Sequence, residues 1–179
     1  MRRMLPLIVL ASMVAVVFTL SGCSWFEGFV PSPSPSPSPL PGNTDMDEKD
    51  FTIFLLDGRT MQLSSLKGKP VLLVFFAPGC SACKTEVPAL NEIYTRYKDQ
   101  GLVVLGAGYG TPESIATFRT STGAQYPIGY FADKEEIVEL YDFTHVPHNV
   151  FFDRNGNITR TYNGPMSLST LESCLSEIL

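Results

Sequence analysis

Basic residues are scarce in this 179-residue chain, because 13 lysines and arginines stand against 18 aspartates and glutamates. Nucleic acids and anionic membrane surfaces are bound through clusters of positive charge, and a formal net charge of −5 does not favour such binding. We therefore expect no nucleic-acid partner and no attachment to a membrane by charge alone. The length and a hydrophobic content of 44% fit one globular domain with additional segments.

Long apolar runs are also missing. The stretch from Leu5 to Leu20 is interrupted by polar residues and is short for a membrane-spanning helix, which needs about 20 apolar residues. It follows Arg2-Arg3, and a charged start before a short apolar stretch is typical of a signal peptide. A twin-arginine signal is the alternative, although the residues around the pair do not support it.

Cysteine occurs only four times, at positions 23, 80, 83 and 174. The first of these ends the sequence Leu20-Ser21-Gly22-Cys23, which resembles the bacterial lipobox. This resemblance implies a lipoprotein signal peptide over residues 1–22 and a lipid on Cys23, which anchors the protein to a membrane. Because a single acyl chain binds membranes only marginally, we expect Cys23 to carry more than one acyl chain. An uncleaved anchor, or a secreted protein with an incidental cysteine, is the alternative.

Residues 31–41 alternate proline with other residues, in the order P-S-P-S-P-S-P-S-P-L-P. Such a segment cannot form a core and favours polyproline II, which at about 3.1 Å per residue would extend roughly 35 Å. We interpret residues 23–45 as a lipid anchor with a Pro/Ser-rich stalk, and residues 46–179 as the globular domain. A ligand for a proline-recognition module is the competing interpretation of the stalk.

Hydrophobic patterns in the globular part alternate between those of strands and helices. The predicted strands are 51–56, 71–76, 102–105, 150–152 and 158–162. The predicted helices are 81–98, one that begins at Thr111-Pro112, 134–141, and a last one with an apolar stripe from Leu168 to Ile178. The order β–β–α–β–α–α–β–β–α predicts an α/β domain with helices packed on a mixed central sheet.

Two cysteines form the motif Cys80-Ser81-Ala82-Cys83 at the predicted junction of a buried strand and a helix. The unpaired amides and positive end of that helix would stabilise a thiolate at Cys80. Cys83, one turn into the helix, is placed to attack a mixed disulfide formed at Cys80. A zinc site would need two more ligands, and a structural disulfide closing so short a loop adds little stability. We therefore predict a redox pair that needs no metal or cofactor.

Three ordered motifs resemble the TlpA/ResA-like branch of the thioredoxin superfamily. They are LSSLKGKP at 63–70, FFAPGCSACKTEVP at 75–88 and HVPHNVFFDRNG at 145–156. The resemblance covers roughly residues 45–179 and implies a thioredoxin-like fold with helices on both faces of the sheet. It also implies a cis peptide at Val146-Pro147 facing the cysteines, and disulfide exchange with protein partners. Backbone beside Pro147 would pair with an extended substrate segment, so Val146 and Pro147 are the predicted substrate-binding residues.

Glu86 is the predicted acid–base residue. It follows Cys83 by three residues and shares the apolar stripe of its helix with Leu90 and Ile93. Burial disfavours a charged carboxylate, so the pKa of Glu86 should rise toward working pH and allow proton exchange with Cys83. The strand before the motif contains no acid, and ResA-like proteins resemble this chain in having a glutamate at this offset. A solvated helix glutamate is the alternative.

Other features have simpler interpretations. His145 and His148 could lower the thiol pKa of Cys80 or titrate at about pH 6 to 7, but we favour two solvent-facing loop histidines. The segment 106–110 is glycine-rich but lacks the spacing of a dinucleotide loop. Cys174 is expected to be a buried apolar residue, and Pro88 is expected to kink its helix.

Together these features predict a thiol-disulfide oxidoreductase that is lipid-anchored at the extracytoplasmic face of a bacterial membrane. Its expected task is to reduce disulfides in protein partners, and the resemblance suggests cytochrome c maturation with electrons from a membrane donor. A peroxiredoxin-like thiol peroxidase would need a P-x-x-x-T-x-x-C pattern, but Leu73 and Ala77 stand where its proline and threonine would be. A non-catalytic binding module or metal carrier using the two cysteines is the third possibility.

Overall fold

A computed structural model describes residues 44–179. The predicted signal peptide, Cys23 and nearly all of the predicted stalk lie outside these residues. In the described part of the chain, no helix has the length and apolar character required to cross a membrane. A short helix α1 (Asp45–Glu48) opens the domain, with Met46 fully buried and Asp45 accepting a hydrogen bond from the Ile158 amide. Asp45 is therefore part of the fold, although the sequence assigns it to the stalk.

Seven strands form one mixed sheet in the order β2–β1–β5–β4–β3–β6–β7. They are β1 (Thr52–Leu55), β2 (Thr60–Gln62), β3 (Val71–Phe76), β4 (Val103–Gly108), β5 (Ile128–Tyr130), β6 (His148–Phe152) and β7 (Ile158–Asn163). β3 runs parallel to β4 and antiparallel to β6, and all six of its residues are buried. Its continuous apolar run is what a strand covered on both faces requires.

Four longer helices cover the sheet: α2 (Ser81–Tyr97), α3 (Pro112–Thr122), α4 (Lys134–Tyr141) and α5 (Leu168–Leu175). Because side chains alternate along a strand, β3 contributes to two separate cores. Leu72 packs with residues of α2, α3 and α5, whereas Leu73 packs with residues of α1 and α4. The predicted α/β architecture, with a mixed sheet covered on both faces, is confirmed.

The sequence predicts neither β2 nor β5, because each has three residues and a weak apolar pattern. β2 returns from the turn at Asp57-Gly58 and exists through its pairing with β1. β5 is held between β4 and β1, and its central residue is a glycine. A Cβ atom at Gly129 would lie 2.6 Å from the Phe54 carbonyl oxygen, so the close approach of β1 requires glycine there.

Gly106 and Gly108 lie inside β4, which continues three residues beyond its predicted end. A Cβ atom at Gly108 would come within 2.4 Å of the Ile115 side chain and 2.7 Å of the Phe76 ring. These glycines therefore make room for side chains that pack across the strand. The structure therefore explains these glycines by side-chain packing and not by phosphate binding.

Candidate redox site

Cys80 and Cys83 lie where the central strand β3 passes into helix α2, and their sulfurs are joined by a disulfide. Cys80 is the N-cap of α2, and its sulfur accepts a hydrogen bond from the Cys83 amide at 3.0 Å. Cys80 is half-buried, whereas Cys83 is only 3% exposed. A reacting thiol therefore reaches the sulfur of Cys80 first. After reduction, the same amide and the helix N-terminus would stabilise a thiolate at Cys80.

The loop before β6 lies against the disulfide. The Val146-Pro147 peptide is cis, as the resemblance implies. The Val146 carbonyl oxygen is 3.4 Å from the Cys80 sulfur, and Pro147 is buried. The Pro147 carbonyl accepts a hydrogen bond from the Gly164 amide at 2.8 Å, which ties the loop to the segment after β7. The fold thus brings both predicted substrate-binding residues to the predicted redox pair.

A cleft of about 250 Å³ opens beside this loop, lined by Tyr109, Lys134, Val138, Phe143, Thr144, His145 and Val146. Its walls are mostly apolar, and the Lys134 ammonium lies 4.7 Å from the centre of the Tyr109 ring. Larger clefts exist on the described domain, including one of about 480 Å³ beside α3, but their linings contain none of the predicted site residues. Val146 borders both this smaller cleft and the disulfide.

Glu86 lies on the buried side of α2 and is 1% exposed. Its Oε1 accepts two hydrogen bonds, from the Asn149 side-chain amide at 3.0 Å and from the Met166 backbone amide at 2.9 Å. Its Oε2 has no partner among the described residues. Burial raises the pKa of Glu86 to about 7, although the two hydrogen bonds act to lower it. The alternative of a solvated helix glutamate is therefore wrong, and this carboxyl changes its charge near neutral pH.

Asn149 also belongs to the site, although its position in the sequence predicts no role for it. It is fully buried in β6, and its Nδ2 donates to the Gly164 carbonyl at 3.3 Å as well as to Glu86. One sequence feature does point to it: a polar amide side chain directly precedes the apolar run Val150-Phe151-Phe152 of the same strand. A buried amide needs hydrogen-bond partners, so its position marks a polar contact across the core.

The two histidines have different surroundings, and the expectation that both face solvent is wrong for His148. His145 is exposed, and its Nδ1 lies 2.8 Å from the Thr144 hydroxyl. His148 is 2% exposed, stacks on the Phe143 ring at 5.0 Å between centroids, and has its Nδ1 2.7 Å from the Asn163 side-chain oxygen. Burial lowers the pKa of His148, so the ring is neutral at pH 7 and its Nδ1–H donates to Asn163.

Cys174 is free and buried in α5, as predicted for a small apolar residue. Its burial raises the pKa of its thiol, which makes it a poor nucleophile.

α2 continues through the exposed Pro88, whose expected kink stays a prediction. Across residues 44–179, no group of three or more His, Cys, Asp or Glu side chains is arranged to hold a metal ion.

Comparison with known proteins identifies similar sequences and folds. Residues 46–161 match the AhpC/TSA family. The chain is 31% identical to the thiol-disulfide oxidoreductase ResA of Geobacillus kaustophilus over 130 residues, which cover 72% of this chain and 74% of that protein. It is 26% identical to the ResA of Bacillus subtilis over 133 residues, which cover 74% of each chain.

Solved structures show the same architecture. The thioredoxin domain of a thiol-disulfide oxidoreductase from Bacteroides vulgatus matches with a TM-score of 0.67 and 23% identity. The match covers 73% of this chain and 94% of that domain. The predicted thioredoxin-like fold is thereby confirmed.

Proposed function

Because the chain belongs to the AhpC/TSA family and to the ResA-like thiol-disulfide oxidoreductases, we propose that it reduces disulfides in extracytoplasmic proteins through Cys80 and Cys83. The observation that carries this proposal is the unequal burial of the two bonded cysteines, because Cys80 is half-buried and Cys83 is 3% exposed. Immature cytochromes c, whose cysteines must be reduced before haem attachment, are the substrate class that the ResA resemblance suggests.

The first step is attack by the Cys80 thiolate of the reduced enzyme on a disulfide of the partner protein. A bond forms between Cys80 and one partner sulfur, the partner disulfide breaks, and its second sulfur leaves as a thiolate. The Cys83 amide and the N-terminus of α2 stabilise the attacking thiolate. Backbone at Val146 would pair with the extended partner segment, and the apolar cleft beside it would receive a flanking side chain.

The second step resolves this mixed disulfide. Cys83 gives its proton to Glu86 and attacks the sulfur of Cys80, so the partner leaves with both of its cysteines reduced. Two electrons have then passed from the enzyme dithiol to the partner, and the Cys80–Cys83 disulfide is the product. Burial disfavours the thiolate form of Cys83, so this step needs a nearby base. Glu86 fits that role because it has a pKa of about 7 and a free Oε2.

Another dithiol must reduce the enzyme again, and a membrane protein is the proposed electron donor. Its thiolate would attack Cys80, and the departing Cys83 thiolate would take its proton from Glu86. Anchoring by a lipid on Cys23 would hold the domain at the membrane surface where such a donor lies. The lipobox-like segment Leu20–Cys23 and the stalk after it support this arrangement.

An assay of two activities tests the proposed function. The purified full chain, supplied with a dithiol donor, is expected to reduce the disulfides of insulin and to consume hydrogen peroxide no faster than the donor alone. Leu73 and Ala77 stand where a peroxiredoxin-like peroxidase would have proline and threonine, so no threonine hydroxyl is available there. Peroxide consumption that exceeds insulin reduction would replace the proposal with the peroxidase alternative.

Lipid attachment is tested separately in cells that express the full chain. The Cys23→Ala variant is expected to lose all incorporation of a labelled fatty acid and to show the mobility of an uncleaved precursor, because no thiol is left to carry the lipid. The Cys174→Ala variant is the matched control and should keep its label. Equal labelling of the wild type and Cys23→Ala would reject Cys23 as the anchor.

A further inference from the structure

We propose that Asn149 is a positioning residue for the redox reaction, which holds Glu86 by Oε1 so that Oε2 is the oxygen that exchanges a proton with Cys83. This inference rests on the acid–base role proposed for Glu86 and adds the group that orients it. The CxxC motif and its helix do not predict this residue, because Asn149 lies in β6, 63 residues after Glu86 in the sequence.

The two oxygens of Glu86 are not equivalent. Oε1 accepts hydrogen bonds at 3.0 Å and 2.9 Å, which use both of its lone pairs, whereas Oε2 has no partner in the described domain. A proton on Oε1 would have to displace one of these donors. The proton of the neutral carboxyl therefore resides on Oε2, and Oε2 releases it to the Cys83 sulfur or takes it back.

Asn149 is itself held in one orientation. In the sheet its backbone pairs with Val74 on one side and with Tyr162 on the other. Its Nδ2 directs one hydrogen to Glu86 and the other to the Gly164 carbonyl. A flipped amide would place Oδ1 against two acceptor oxygens, so the direction of the amide follows from its partners. Its buried Oδ1 has no partner in the described domain, which costs free energy and argues that Asn149 is not present for stability alone.

Asn149 supplies the one side-chain hydrogen bond to this carboxyl within residues 44–179. The other donor is the Met166 backbone amide, and no described salt bridge includes Glu86. Cys83 is buried one turn before Glu86 on α2, and Tyr126, before β5, has a pKa that is raised by burial and by the charge of Glu86. His148, the next residue to Asn149, points to the opposite face of the sheet. Substitution of Asn149 therefore removes a donor without removing a charge.

The test is the Asn149→Leu variant of the full chain in its oxidised form. Loss of a hydrogen bond to a charged carboxylate should raise the titration midpoint of the Glu86 carboxyl by about one pH unit or more, as followed by ¹³C NMR. The pH profile of insulin reduction should shift upward with it. Asn91→Ala is the matched control, because the Asn91 side chain also makes two hydrogen bonds, to Gly123 and Gln125, and none to Glu86. It should leave both midpoints unchanged.

A double substitution separates positioning from a merely structural role. In a Glu86→Gln background, Asn149→Leu should cause no further change in the pH profile. A shift of equal size with and without Glu86, or an unchanged carboxyl midpoint in Asn149→Leu, would overturn the inference. Asn149→Ala gives the same test with a smaller side chain that also lacks a donor, if the leucine variant does not fold. If instead Glu86→Gln alone leaves the pH profile unchanged, it is the proposed role of Glu86 that fails.

Discussion

Replacing Cys83 with serine is expected to trap partner proteins covalently on Cys80, whereas replacing Cys80 with serine should trap none. The structure gives the reason, because Cys80 is the half-buried N-cap of α2 and Cys83 is 3% exposed. Without the Cys83 thiol, a mixed disulfide at Cys80 has no internal group to resolve it. Turnover of either variant in the insulin assay should fall to background, a loss on the order of 10³-fold or more.

The adducts are detected on non-reducing gels and identified by mass spectrometry after purification of the full-length variants from cells. Cys174→Ala serves as the control, because it also removes a cysteine but one that is buried in α5. It should keep wild-type turnover and accumulate no adducts. Partner proteins joined to Cys83 in the Cys80→Ser variant would reverse the roles of the two cysteines.

Replacing Glu86 with glutamine is expected to slow disulfide reduction by about 10-fold or more, at the low end for general acid–base catalysis. Glutamine keeps the shape of the side chain but cannot exchange a proton with Cys83. The wild-type rate should show an inflection near the Glu86 pKa of about 7, and that inflection should be absent from the variant. Glu92→Gln, on the exposed side of the same helix, should change neither the rate nor its pH dependence.

The same substitution should change how stability depends on pH in the oxidised protein. Glu86 ionises at its ordinary pKa of 4.5 in the unfolded chain and at a pKa of about 7 in the folded protein. Between these values the folded protein holds a proton that the unfolded chain has lost. The contribution of Glu86 to the free energy of unfolding is therefore greatest below pH 4.5 and is lost as pH rises to 7.

The gap between the two pKa values corresponds to about 3 kcal/mol. Because glutamine carries no charge, Glu86→Gln should be more stable than the wild type at pH 8 by up to this amount and similar to it near pH 4.5. Urea denaturation of both proteins at the two pH values measures the difference. Parallel pH dependences for wild type and variant would show that Glu86 does not ionise as a buried carboxyl.

The parts of the site that lie close together in sequence could be predicted from it. Cys80, Cys83 and Glu86 fall within seven residues on a single strand–helix unit, and the spacing of α2 fixes which of them share a face. The apolar run of β3 places that unit at the centre of the sheet. These features depend on local geometry, so the pattern of residues carries them.

The remaining parts depend on contacts between distant segments. Asn149 meets Glu86 only because β6 pairs with β3 in the observed register, and a shift of one residue would turn its side chain to the other face. His148 is buried because Phe143, from the segment after α4, covers its ring. β5 exists because β4 and β1 supply its hydrogen bonds. No local pattern in the sequence contains that information.

The reduction potential of the Cys80–Cys83 pair tests the central claim most directly. The full chain is equilibrated in buffers of defined glutathione or dithiothreitol potential, and the fraction of reduced Cys80 is determined by alkylation and mass spectrometry. A protein that reduces disulfides in its partners should have a potential below about −200 mV, in the range of glutaredoxins and thioredoxin. A value near −120 mV, that of the strong oxidant DsbA, would contradict the account and assign the protein to disulfide formation instead.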